Sequence, residues 1–247
     1  MKEKQLILAV ETSAAPVSCA LIQCEGDNLD TLKVLSASMA TTPLPHSKTL
    51  LPMVHSTFEN AGISPKEVTA VAVAHGPGSF TGVRIGVSAV KGIAFTNNLP
   101  CIGVSTLEAM AFMWHCGGFE GLIVPVMDAR CSQIYTAVFE SDGHNVMRLR
   151  EDMAIRQEEM LQYLQQQRRP VLLVGDGADL CHSLWKEHCP QLRVAGPMQH
   201  YQQAVGVAIA AVAGSGQACS AERLQPVYLR LPQAERELKA KTAKSEG

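Results

Sequence analysis

The chain has 247 residues and a formal net charge of −2, with 47% hydrophobic and 18% charged residues. That balance supplies a sizeable core, excludes a disordered body, and gives no electrostatic footprint for binding nucleic acid unaided. The apolar runs are too short or interrupted to span a bilayer.

The N-terminal MKEKQLILAVETS alternates like a strand and lacks the small-residue cleavage site of a secretory signal. Residues 6–11 form that strand, 14–16 turn, 17–23 return as a hairpin partner, and 32–38 give a third strand. Leu50, Leu51, Val54 and Phe58 then recur at helical spacing over 46–60, with Gly62 as the stop. An apolar strand, 68–74 (VTAVAVA), leads into HGPGSFTGVRIG, and a small-residue helix spans 82–96 before a short strand at 101–104.

Four glycines and a proline at this strand-to-helix junction require a tight turn and a close approach to something. Ser79 and Thr81 are candidate N-caps, and the amides of the helix start would suit an anion. Packing alone would also account for the glycines, and no Lys-Ser or Lys-Thr pair follows at P-loop spacing. Gly78, Gly82 and Gly86 recur every four residues, a stripe that would let another helix approach closely, while Val83, Val87 and Val90 cover an adjoining face. Against an internal sheet these faces are core; turned outward with the preceding helix, they are an interface.

The second half begins with strands at 122–127 and 133–139, joined through Asp128-Ala129-Arg130. A glutamine-rich polar helix at 157–168, a buried strand at 171–174 and a helix at 178–188 follow. Gly175-Asp176-Gly177 reads as a tight turn or as a loop approaching a ligand. An alanine-rich helix at 201–213 and a short extended piece at 226–230 precede a charged tail. Each half mixes a hairpin with strand–helix alternation, which predicts two similarly built α/β units without an internal sequence repeat.

Candidate chemistry is sparse. Eight cysteines include no C-x-x-C pair and read as free, partly buried thiols, so the expected compartment is the cytoplasm. His46 and His55 lie nine residues apart on opposite faces of one helix, and neither H-E-x-x-H nor H-x-x-x-H occurs, so no metal site is expected. No G-x-S-x-G marks a nucleophile. Glu11, at a strand end that points into a cleft or caps the Thr12–Ser13 turn, is the best lone acid.

Taken together, VETSAAPVSCALI, HSKTLLPMV, VAHGPGSFTGVRIGVSAVKGIA, GVSTLEAM, VMDARCSQIY and the later PVYLR resemble the bacterial TsaB (YeaZ) family of tRNA threonylcarbamoyladenosine biosynthesis proteins. The resemblance implies an actin-like/Hsp70-like ATPase (ASKHA) fold of two ribonuclease-H-like domains, 1–104 and a reduced 105–232, with a tail over 233–247. It implies a non-catalytic accessory subunit, without cofactor or metal, for threonylcarbamoyl transfer to N6 of adenosine 37 in tRNAs reading ANN codons. Its partners would be the catalytic paralogue TsaD and the ATPase TsaE, with tRNA met only through the complex, no membrane, and a homodimer when alone. Leu50, Leu51, Val54, Phe58, Val83, Val87 and Val90 would carry the interface on the two N-terminal helices. Glu11, Thr12, Ser13, Gly76, Gly78 and Ser79 would be the residual phosphate-facing set. Where the paralogue has a metal-binding H-x-x-x-H pair, this chain has Thr106 and Met110. It also carries Lys48 where many relatives have glutamate after His-Ser. The competing readings are a degenerate, metal-independent glycoprotease-like peptidase, a kinase-like enzyme of the same fold, and a bare nucleotide-binding module.

Overall fold

Alternation along the first strands decides the layering. A computed structural model describes residues 3–230; the tail expected over 233–247, and 231–232, lie outside the described residues. In β1 (Lys4–Glu11), Leu6, Leu8 and Val10 point into one apolar cluster and Ile7 and Ala9 into another. A strand buried on both faces reads as a continuous apolar run, as β1 and its antiparallel partner β2 (Val17–Glu25) do. β3 (Asn28–Ala40) completes the meander, and α1 (His46–Ala61) follows, ended by Gly62 in the left-handed conformation at φ 64°. β4 (Ala70–Gly76) pairs parallel with β1, α2 (Phe80–Asn97) crosses over, and β5 (Cys101–Ser105) pairs parallel with β4.

The second half repeats this order. After α3 (Thr106–Phe112) come the antiparallel strands β6 (Glu120–Arg130), β7 (Gln133–Asp142) and β8 (Val146–Arg156). Then α4 (Gln157–Gln165), β9 (Val171–Val174), α5 (Ala178–Trp185) and β10 (Leu192–Val194) rebuild the parallel side. The sheets run β5-β4-β1-β2-β3 and β10-β9-β6-β7-β8, the same order in each half. This duplicated ribonuclease-H-like topology is the expected actin-like α/β architecture.

The chain then returns to the first sheet. α6 (Ala204–Val212) packs its alanines against the face of that sheet opposite α1 and α2, and β11 (Ala218–Cys219) pairs antiparallel with β5. Residues 204–219 therefore belong structurally with the first sheet, and the halves are interleaved at the C-terminal end rather than divided at 104/105.

Several element bounds also differ from expectation. β8 and α3 were not foreseen: β8 carries charged residues along a half-exposed strand, and α3 spans fewer than two turns of cooperative signal. Asp128, Ala129 and Arg130 still belong to β6, and the turn falls on Cys131 and Ser132. The polar helix ends at Gln165 rather than 168, α5 at Trp185 rather than 188, and α6 starts at Ala204 rather than 201. Residues 226–230 form no strand, although the Val227 amide donates to the His75 carbonyl at 2.7 Å.

Candidate functional site

Two concave regions flank α2. The first is a groove between α1 and α2 of about 590 Å³, lined by Leu50, Leu51, Phe80, Arg84, Ile85 and Ala89 among others. Its wall is mostly apolar, and Leu51, 55% exposed, stands at its edge. Leu50 lines the groove although it is only 1% exposed, and Val54, Phe58, Val83, Val87 and Val90 do not line it. All six are buried in the core beneath the two helices, against β1, β2 and β4. The helical spacing that selected them marks the inward face; of the seven residues expected at the interface, Leu51 alone is exposed.

The second region is a cleft of about 600 Å³ between the halves. The first half contributes Ser13, Gly78 and Ser79, the second Asp128, Arg130, Tyr135 and Asp176, and the far wall is Val227–Arg230. Ser79 caps α2 by accepting from the Gly82 amide at 3.3 Å, and its own amide donates to the Ser13 carbonyl at 2.7 Å. Thr81 is no cap; it is the second residue of the helix.

The glycine stripe meets the β1–β2 turn rather than another helix. A Cβ on Gly78 would stand 2.6 Å from the Ser13 carbonyl oxygen, one on Gly82 would overlap the Thr12 carbonyl oxygen, and one on Gly86 the Thr12 hydroxyl. Gly76, at φ 125°, is likewise pressed against the Val227 carbonyl. Packing against the chain's own backbone thus accounts for these glycines.

Of the expected phosphate-facing set, only Ser13, Gly78 and Ser79 line the cleft. Glu11, Thr12 and Gly76 are buried behind it, with the Thr12 hydroxyl donating to the Gly82 carbonyl at 2.8 Å. Glu11 Oε1 accepts from the Ser13 amide at 2.5 Å, whereas Oε2 is buried without a partner. Burial, opposed by bonds from Ser13 and Thr12, pushes the Glu11 carboxyl up to about 7. Asp176, whose Oδ1 accepts from Gln202 at 3.1 Å, is raised by desolvation as well. In the sequence Asp176 stands out only through its Gly-Asp-Gly setting, read as a tight turn or as a loop approaching a ligand; the structure places it in the cleft wall.

The family model described as TsaD, tRNA N6-adenosine threonylcarbamoyltransferase, matches residues 41–236. The TsaB protein of Bacillus subtilis is 30% identical over 93% of this chain and 96% of its own length, and that of Escherichia coli is 31% identical over 91% and 94%. The chain belongs to the TsaB family. Among solved structures, YeaZ from Pseudomonas aeruginosa shares the fold with a TM-score of 0.69 at 24% identity, over 91% of this chain and 100% of that one.

Within this TsaB-family chain, α3 carries Thr106 and Met110 on the side facing the second sheet. Both are buried, and Met110 packs with Leu107, Ile123 and Met127 in an apolar cluster. A Cβ on Gly175 would lie 2.9 Å from the Met110 sulfur, so this region is filled. Beside it a polar junction links the halves. Arg148 on β8 reaches Glu108 on α3 at 3.1 Å and Asp152 at 2.7 Å, and Asp152 accepts from the Ser105 hydroxyl at 2.5 Å. Sequence spacing gives no signal for that network, because its members come from three different elements.

Among the described residues no helix is long and apolar enough to cross a membrane. All eight cysteines are free thiols.

Proposed function

We propose that this chain is a non-catalytic accessory subunit of tRNA threonylcarbamoyladenosine biosynthesis. It docks the catalytic paralogue TsaD through the α1–α2 groove, and TsaE completes the assembly. The observation that carries the docking reading is the groove itself: an apolar-lined depression on the solvent side of two helices whose other side is already committed to the core. The same face would serve a homodimer when TsaD is absent.

The absence of catalysis is supported by α3. At the positions that the family resemblance equates with the paralogue's metal ligands, Thr106 and Met110 are buried, and a thioether in an apolar cluster is a poor ligand for a hard or borderline metal. Participation of tRNA only through the complex is supported by the net charge of −2, and free thiols fit a reducing compartment.

Reconstitution tests the reading. TsaD, TsaE, tRNA, threonylcarbamoyl-adenylate and ATP are combined with and without this chain. The modified nucleoside should appear only when the chain is present, and the chain alone should yield none. Equal modification without it would overturn the accessory role. The interdomain cleft keeps a nucleotide-binding module as the second reading, for which ATP with magnesium would raise the melting temperature of the isolated chain.

A further inference from the structure

The PVYLR segment bridges the two concave regions. Upstream it is anchored on α2: Lys91 Nζ donates to the carbonyls of Glu222 (3.3 Å) and Leu224 (3.1 Å), and the Leu224 side chain is buried in the core. Tyr228 stacks on Phe80 with ring centroids 4.7 Å apart, Arg84 Nε donates to the Tyr228 hydroxyl at 2.9 Å, and the Arg84 guanidinium lies 3.9 Å from the Phe80 centroid. Phe80 and Arg84 also line the α1–α2 groove.

At its far end the segment crosses the cleft. Arg230 Nη1 donates to the carbonyls of Ala129 and Arg130, the last two residues of β6 at the turn into β7. That turn holds three consecutive non-glycine residues in the left-handed region: Arg130 at φ 62°, Cys131 at 56° and Ser132 at 55°. L-residues avoid this conformation, and a run of three persists only where its surroundings enforce it. Asp128 Oδ1 accepts from the Arg130 amide at 2.7 Å on one side, and Arg230 holds the carbonyls from the other.

We propose that residues 226–230 are a strap that couples the docking groove to the interdomain cleft. A partner seated on Phe80 and Arg84 excludes water from the Arg84–Tyr228 bond and the aromatic stack. The strap is thereby fixed, and Arg230 tightens its hold on the strained β6–β7 turn. Tyr228 and Arg230 act as positioning residues. The coupling rests on the docking reading above; the strap itself does not.

Hydrogen exchange of the amides of Arg130, Cys131, Ser132 and Gln133 tests both parts. In the free chain, Arg230→Ala should speed their exchange about tenfold through loss of a charged donor, with the exchange of β1 unchanged as the control for folding. Unchanged exchange in the turn would overturn the strap. Saturating TsaD should slow exchange there in the wild type but not in Arg230→Ala or in Tyr228→Phe, which keeps the ring and loses the bond to Arg84. Equal slowing in all three chains would overturn the coupling while leaving docking intact. Failure of the wild type to bind TsaD would overturn docking and the coupling with it, and the free-chain comparison would still decide the strap.

Discussion

Gly82 lies so close to the carbonyl of Thr12 that a Cβ there would overlap its oxygen. Two effects oppose each other at this position. Replacing a helix-interior glycine by alanine gains up to about 1 kcal/mol of helix propensity, whereas forcing a methyl into close-packed backbone loses about 1–3 kcal/mol. The obstacle is backbone in a buried turn, so the second effect wins. Gly82→Ala should lower stability by about 2 kcal/mol. Gly92, in the same helix with nothing within 4 Å of a Cβ, is the control, and Gly92→Ala should raise it by about 0.5–1 kcal/mol. Denaturant unfolding of both variants decides the matter; equal shifts would mean that the glycine stripe has no packing role.

The groove separates surface from core on the same pair of helices. Leu51→Asp alters an exposed side chain and should change stability by no more than about 0.5 kcal/mol, while weakening TsaD binding at least about tenfold if this residue anchors the contact. Val87→Asp places a charge in the core and should unfold the chain outright. Calorimetry for binding and circular dichroism for folding give the two readouts. Full affinity in a folded Leu51→Asp chain would move the interface elsewhere.

Lys48 sits exposed in the first turn of α1, where no acidic residue opposes the positive end of the helix dipole and no side chain caps the start. Lys48→Glu should therefore stabilise the free chain by about 0.3–1 kcal/mol, an effect that salt should screen. Thermal melts at low and high ionic strength provide the check. A loss of stability at low salt would show that Lys48 makes a favourable contact outweighing the dipole.

How much of this was legible in the sequence depends on the range of the signal. β1, β2 and β9 declare themselves because burial on both faces demands unbroken apolar runs, and α1 because its apolar residues keep helical spacing. The direction in which the apolar face of α2 points did not, since Val83, Val87 and Val90 look alike whether they meet a sheet or a partner. Periodicity says that a face is apolar, not what covers it. β8 was hidden by Arg148, Arg150 and Asp152, whose charges serve the junction with α3 or the exposed edge. The strap has no periodicity at all. Tyr228 and Arg230 acquire meaning only when the fold brings His75, Phe80 and Ala129 beside them.

Arg148, raised above its ordinary pKa by Asp152 and Glu108 against the cost of burial, is the single cation facing these two carboxylates in the described network. Its guanidinium also lies 4.7 Å from the Phe139 ring centroid. Arg148→Met would keep the aliphatic volume but leave both acids uncompensated, and should destabilise by about 2–4 kcal/mol. If the loss is charge rather than packing, adding Glu108→Gln should recover part of it in a double-mutant cycle. Strict additivity would deny the coupling.

Glu11 should make stability fall as pH rises. Its carboxyl is raised from 4.5 to about 7 by burial, so the native chain holds this proton more tightly than the unfolded chain. The stabilisation is complete below the unfolded value, is lost progressively as pH climbs to about 7, and is gone above it. At 1.36 kcal/mol per unit the shift corresponds to about 3 kcal/mol across that window. His75 works in the opposite sense: burial lowers its pKa below 6.5, so it favours the native state as pH rises through that range. The wild-type curve therefore mixes both slopes, and the comparison with Glu11→Gln isolates the acid. Glutamine retains an oxygen for the Ser13 amide and removes the buried charge, so it should be more stable than the wild type at pH 8 and nearly equal at pH 4. Denaturant unfolding at half-unit steps between those limits would show the two curves converging toward acid. Parallel curves would mean that folding leaves the proton affinity of the Glu11 carboxyl unchanged.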